Sequence, residues 1–208
     1  MATKRPWHCY RKWDARPYQY KRSSNRRREF ARGGAQAKIK RFWNGNKNKA
    51  WEEFDVVIGL KVDKQVQISS SALEAMRVAV NAKIMKKFGV KNYRLRIRPK
   101  PFHKIRENKM LAFAGADRVQ SGMRNSFGRA TTVAARVKAG QVVLELGIPM
   151  RALEFAKKRL NIASKKLPCS CQIVLLKYKE VENLKRAGLP LYDDEKRVQI
   201  PLYKVEIS

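Results

Sequence analysis

Basic side chains outnumber acidic ones by 16 to 2 in the first 49 residues, and no other feature limits so strongly what this chain can fold into. A segment with net charge +14 repels itself when compacted. It shows neither helical nor alternating periodicity, and Pro6, Pro17, Gly33 and Gly34 interrupt it. It cannot bury enough apolar area to offset chain entropy, so residues 1–49 are expected to run as an extended arm. The charge is blocked elsewhere too. Residues 50–90 hold 6 basic and 5 acidic side chains, 91–129 hold 11 and 2, 130–176 hold 8 and 2, and 177–208 hold 7 and 6. A surface built only for solubility intersperses its signs. A net charge of +31 on 208 residues calls for a polyanion to offset it.

Several classes drop out at once. The chain is 44 % hydrophobic, enough for a real core, so it is not wholly disordered. No apolar run approaches the roughly 20 residues that span a bilayer, and no membrane association is expected. The basic start, Met1 to Trp13, lacks the apolar stretch of a secretory signal. Three cysteines make no disulfide framework, which points to a reducing compartment.

The fold signals lie between residues 50 and 176. Phe54 to Val62 is β-rich and reads as a strand. Ser71-Ala72-Leu73-Glu74 has the spacing of a capping box, and Leu73, Met76, Val80 and Ile84 form one apolar helical stripe ending at Gly89. Tyr93 to Arg98 alternates apolar and basic residues, as a strand with one buried face does. Thr131–Lys138 and Gln141–Leu146, linked by Ala139-Gly140, read as a hairpin. Pro149 suits the first position of a second helix carrying Met150, Leu153, Ala156 and Leu160, with Lys157, Lys158 and Arg159 near its C-terminal end. Gln172 to Leu176 is a further strand. The order β-α-β, long loop, β-β-α-β predicts an α+β domain over 50–176, a mostly antiparallel sheet with two helices packed on one face. Residues 177–208 form a C-terminal extension with a helical stretch to Gly188, then two short apolar runs, Val198–Ile200 and Tyr203–Val205.

Candidate partners follow from where the charge sits. In the arm, Arg5, Arg11 and Arg26, Arg27 and Arg28 alternate with Trp7, Tyr10, Trp13, Tyr18 and Tyr20. Aromatic rings stack on unpaired bases while guanidiniums neutralise phosphates. Arg94, Arg96 and Arg98 form a row on one strand face, costly unless something anionic lies over it. Residues 99–129 connect two strands with more chain than packing requires, and such loops are usually functional or disordered. This loop carries Lys100, His103, Lys104, Arg106, Lys109, Arg118, Arg124 and Arg129, with Gly115, Gly122 and Gly128 permitting close backbone approach.

The loop text also carries a resemblance. Pro101-Phe102-His103, Ile105-Arg106, Asn108 to Leu111, Ala114 to Arg118, Gln120, Gly122-Met123-Arg124 and Phe127-Gly128 resemble the universal large-subunit ribosomal protein sixteen family, L sixteen in bacteria and L ten e in archaea and eukaryotes. Ser69 to Arg77, Val133 to Val142, Arg5-Pro6 and Cys9-Tyr10-Arg11 are similar to other stretches of that family, in its archaeal and eukaryotic form. Gly33-Gly34-Ala35-Gln36, the expanded run around Arg26–Arg28 and the tail after Leu176 depart from it. The resemblance implies an antiparallel sheet with two helices. It implies a structural place on large-subunit ribosomal RNA, among neighbouring ribosomal proteins in the cytoplasm. That place is beside the aminoacyl-tRNA site and near the peptidyl transferase centre, with loop 99–129 reaching toward transfer RNA.

Rival functions find less support. His8 and His103 are the only histidines, and His103 stands among Lys104 and Arg106 with no nucleophile or orienting partner in view, so no enzyme is expected. His103 is read instead as stacking on, or hydrogen-bonding to, RNA. Cys169-Ser170-Cys171 is too tight for a tetrahedral zinc site, and His8-Cys9 does not complete one, so neither metal nor cofactor is expected. A ribosome-independent nucleic-acid binder or assembly protein would carry the same charge; the loop text separates the two.

Overall fold

The computed structural model describes residues 34–108, 124 and 126–200. Among these residues the chain forms ten strands and three α-helices. The first half holds β1 (Trp43–Gly45), β2 (Val56–Val62), β3 (Val66–Ser69), α1 (Ser70–Phe88), β4 (Arg94–Ile97) and β5 (His103–Glu107). The second holds β6 (Arg129–Val137), β7 (Val142–Ile148), α2 (Leu153–Ser164), β8 (Cys171–Tyr178), α3 (Val181–Ala187), β9 (Leu191–Asp193) and β10 (Val198–Ile200). The seven-stranded sheet has the order β1-β4-β7-β2-β8-β9-β10, and a second sheet has the order β3-β6-β5. Only the β8–β9 pair is parallel among them, so the expected α+β class with a mostly antiparallel sheet is what the chain adopts.

The core is built as the periodicities require. Leu73, Met76, Val80 and Ile84 of α1 are buried against Ile58 and Leu60 of β2, Leu95 and Ile97 of β4, and Leu144 and Leu146 of β7. Leu153, Ala156 and Leu160 of α2 enter the same core. Phe88 and Phe155 join the two helices edge to face, with centroids 5.8 Å apart. The opposite face of the sheet carries the alternate residues, among them Arg94, Arg96, Arg98 and Glu145.

Four local expectations are corrected. The cap of α1 is Ser69, whose hydroxyl accepts from the Ala72 N–H at 3.3 Å, rather than Ser71. β3 runs straight into the helix and starts it earlier, while the Glu74 carboxylate accepts from the Arg77 guanidinium and from the Lys40 N–H at 3.2 Å. Pro149 stands before the helix in extended backbone, and a 3₁₀ turn over Met150–Ala152 leads into α2, with Asp55 accepting from the Met150 N–H at 2.9 Å. α2 continues to Ser164, so Lys157, Lys158 and Arg159 lie mid-helix and do not face its C-terminal carbonyls.

The fourth correction is the hairpin. β6 and β7 are consecutive but do not pair: β6 lies between β3 and β5, β7 between β2 and β4. The link does turn tightly, with Gly140 at φ +77 and the Gln141 N–H bonded to Lys138 O. However, Gly140 N donates to Val62 O at 2.8 Å and Val62 N to Gln141 O at 3.1 Å, so the turn docks on the end of β2. Both strand pairs change sheet at this corner. That lets β3 and β6 wrap Val66, Ile68, Ala135 and Val137 onto the same core, which a flat hairpin would leave open.

Three segments fold where the sequence suggested connection or arm. Trp43–Gly45 pairs with Arg94–Arg96, so the sheet begins before residue 50. In the extension, β9 pairs with β8 at Leu175↔Leu191, and Tyr192 donates to Gly140 O at 2.5 Å. His103–Glu107 pairs with Arg129–Ala134, with Ile105 only 8 % exposed, so residues 104–107 belong to a sheet and the connection proper runs over 108–128. Residues 203–205, expected as an apolar run, lie outside the described residues.

Candidate nucleic-acid interface

The described part of the site has two regions. The first is the Arg row of β4. Alternation buries Tyr93, Leu95 and Ile97 and turns Arg94, Arg96 and Arg98 to the other face. The chain itself engages all three. Arg94 donates to Lys49 O at 2.5 Å and its guanidinium stands 4.6 Å from the Trp51 ring and 5.0 Å from Trp43. Arg96 lies 4.6 Å from the Trp43 ring and 3.8 Å from Glu145. Arg98 meets Glu145 at 3.2 Å and also Asp194. Burial raises the pKa of Glu145, and Arg98 and Arg96 offset this only in part. The row therefore spends much of its field inside the protein, and Trp43 and Trp51 turn it into a mixed aromatic and cationic face.

The second region is the base of the long loop, where β5 meets β6. Lys100, Arg106, Arg124 and Arg129 are exposed, and Lys104 and His103 are half-buried. Lys104 donates to Ala35 O, which ties the end of the N-terminal segment to the sheet. Arg106 lies 4.2 Å over the ring of Phe127, which is 71 % exposed, and Phe102 is exposed beside β5. A guanidinium on an open ring is a platform on which a base can stack. Gly128 is required here by close approach: a Cβ would sit 2.4 Å from the backbone carbon of Glu107. Gly128→Val is expected to cost about 1–3 kcal/mol, since backbone must move, and urea denaturation of the free chain checks it.

His103 pairs with Ala134 in the sheet. Burial first, then Arg136 and Arg106, depress its pKa to about 4, so the imidazole is neutral at physiological pH. The folded value lies below the ordinary 6.5, so the unfolded chain binds the extra proton. Stability should therefore fall as pH drops from 6.5 toward 4, and His103→Gln should flatten that slope in denaturation curves. A neutral ring can stack on a base or exchange hydrogen bonds with it, whereas it contributes no charge to phosphate binding.

Arg5, Arg11, Arg26, Arg27, Arg28, Lys109 and Arg118 lie outside the described residues. Of the remaining candidates, β4 groups Arg94, Arg96 and Arg98, while the β5–β6 end groups Lys100, His103, Lys104, Arg106 and Arg129. Sequence reasoning missed Trp43, Trp51, Phe127 and Arg136 as parts of these groups. Their signal was there for the rings, since aromatics between basic residues mark nucleic-acid surfaces, but which cation each ring meets is a long-range matter. Among the described residues no group of three or more His, Cys, Asp or Glu is placed to hold a metal ion, and no helix is long and apolar enough to cross a membrane.

Residues 17–174 match the model of the family described as ribosomal protein L16p/L10e. The chain belongs to the L16p/L10e family of ribosomal proteins. It is 39 % identical over 176 residues to the large ribosomal subunit protein uL16 of Hyperthermus butylicus, covering 85 % of this chain and 95 % of that one. It is 41 % identical over 170 residues to the uL16 of Staphylothermus marinus, covering 82 % and 92 %. The uL16 of Tetrahymena thermophila is 37 % identical over 171 residues, covering 82 % and 76 %. The L16p/L10e match runs from before β1 into β8, so it spans both basic regions; α3, β9 and β10 lie beyond it. Membership in a ribosomal protein family agrees with the absence of any expected enzymatic role.

Proposed function

We propose that the chain is a structural constituent of the large ribosomal subunit, held on large-subunit ribosomal RNA and against neighbouring ribosomal proteins in the cytoplasm. The observation that carries this reading is the L16p/L10e match over residues 17–174, in a chain of net charge +31. The relatives named above are large ribosomal subunit proteins. Phosphate contacts come from the arm, through Arg5, Arg11 and Arg26–Arg28, and from Lys100, Arg106, Arg124 and Arg129 at the loop base. Phe127 with Arg106, and Trp43 with Arg94 and Arg96, offer stacking surfaces for unpaired bases. The protein does no bond chemistry; it neutralises phosphate repulsion and holds RNA in shape.

The loop over 108–128 reaches from this base toward transfer RNA, beside the aminoacyl-tRNA site and near the peptidyl transferase centre. Its sequence resemblance to the family loop supports this position. The family reading is tested by sedimentation: the chain should stay with large subunits through a high-salt wash. A ribosome-independent binder or an assembly protein would be released, or be missing from mature subunits. The loop reading is tested with a photo-crosslinking side chain at Lys109. Adducts should form with the acceptor end of transfer RNA bound in the aminoacyl site; adducts confined to ribosomal RNA would overturn it.

A further inference from the structure

Cys169 and Cys171 take no part in the RNA surfaces, yet their sulfurs lie 3.9 Å apart at the entrance to β8. Cys171 opens the strand in register with Val62 and also points its thiol at Cys169 O, 3.5 Å away. Between them Ser170 is pinned, because Asp63 N donates to Ser170 O at 3.2 Å. Cys169 follows Pro168 outside the strand, so it is the partner free to adjust. Both side chains rest half-buried on the core and line a cavity of about 720 Å³ with Lys64, Gln65, Asn161 and Lys165. Two sulfurs this close need a side-chain rotation and a small shift to reach the bonded distance of about 2.05 Å. The lysines favour an anionic reagent in the cavity.

We propose that Cys169 and Cys171 are a redox-modifiable pair that forms a reversible intrachain disulfide, with an anionic low-molecular-weight disulfide such as oxidised glutathione as oxidant. The Cys169 thiol loses its proton to solvent and its sulfur attacks one sulfur of the oxidant. The oxidant's S–S bond breaks, and the departing thiolate takes up a proton. The Cys171 sulfur, its proton also passed to solvent, then attacks the Cys169 sulfur and expels the second thiolate. Two protein thiols become one disulfide, and one small disulfide becomes two small thiols. The hydrogen bond to Cys171 lowers the Cys169 pKa, while that bond and burial raise that of Cys171. Cys169 is thus the attacking thiol and Cys171 the resolving one. Pinning by Val62 and Asp63 opposes full closure, which makes the bond labile rather than structural.

The pair can be read in one peptide, because trypsin releases Leu167–Lys177 with both cysteines while Cys9 travels elsewhere. The full-length chain is incubated with graded oxidised glutathione and mapped by mass spectrometry. Leu167–Lys177 should become lighter by two hydrogens at ratios that leave most of Cys9 free, and dithiothreitol should reverse the loss. Cys171→Ser should arrest at a glutathione adduct on Cys169, and Cys169→Ser should slow adduct formation in this peptide about tenfold. Stable adducts on both cysteines of the unaltered chain, disulfide-linked dimers through this peptide, or no reaction when Cys9 has already reacted would each overturn the proposal. The unaltered chain alone suffices for that decision, so a misfolded variant leaves it intact.

Discussion

Raising salt from roughly 50 to 200 mM should weaken binding of the full-length chain to large-subunit ribosomal RNA by about three to five decades. That range corresponds to roughly 6–10 phosphate contacts, each adding close to one unit to the slope of log affinity against log salt. The arm alone holds 16 basic residues and the segment 91–129 holds 11, so the supply of cations exceeds the demand. The structure says which of the described cations to leave out of the count. Arg98 faces Glu145 and Asp194, Arg77 faces Glu74, and Lys177 faces Glu52, so these release few counterions on binding. Alanine at exposed Arg106 and Arg129 together should therefore lower the slope by about two units, whereas Arg98→Ala should leave the slope nearly unchanged. Arg98→Ala should instead destabilise the free fold, because Glu145 is left buried with Arg96 as a distant partner. Filter binding across a salt series measures all three; a flat affinity for the unaltered chain would end the phosphate reading.

Leu144→Ala is expected to destabilise the free chain by about 2–5 kcal/mol. Leu144 is fully buried in β7, opposite Leu60 of β2 on one side and Ile97 of β4 on the other. Strands held on both sides cannot collapse into the space that the side chain vacates, which favours the upper half of that range. Against a total stability of roughly 5–15 kcal/mol, the loss is a large fraction of what holds the chain folded. Val198→Ala at the end of the sheet, where the side chain is 57 % exposed, should stay within about 0.5 kcal/mol and serves as the control. Urea denaturation gives both values from midpoint shifts at constant slope. A loss below about 1 kcal/mol for Leu144→Ala would mean that the centre of the sheet is not packed as described.

Periodicity made the helices and inner strands legible. The spacing of Leu73, Met76, Val80 and Ile84 marks the buried side of α1, and the alternation from Tyr93 to Arg98 marks both faces of β4. These signals are local: a side chain's face depends only on the geometry of its own element. β1 and β5, Trp-Asn-Gly and His-Lys-Ile-Arg-Glu, carry no apolar alternation, and exist because a partner strand offers unsatisfied N–H and C=O groups. His103–Glu107 reads as loop in sequence and becomes strand only beside Arg129–Ala134.

Composition and the loop text together determined that this chain belongs on RNA, since a charge of +31 demands a polyanion wherever the chain folds. They also determined an α+β core and the residues that fill it, because burial follows periodicity. The tertiary structure decided how the charge is shared out. Asp194 reaches Arg98 across 96 positions, and Trp43 stands over Arg96 only because β1 pairs with β4. It decided as well that β6 and β7 part company at Gly140, since Val62 claims the hydrogen bonds of the turn. A pairing over such separations depends on which strands compete for the same edge, and no local pattern records that competition.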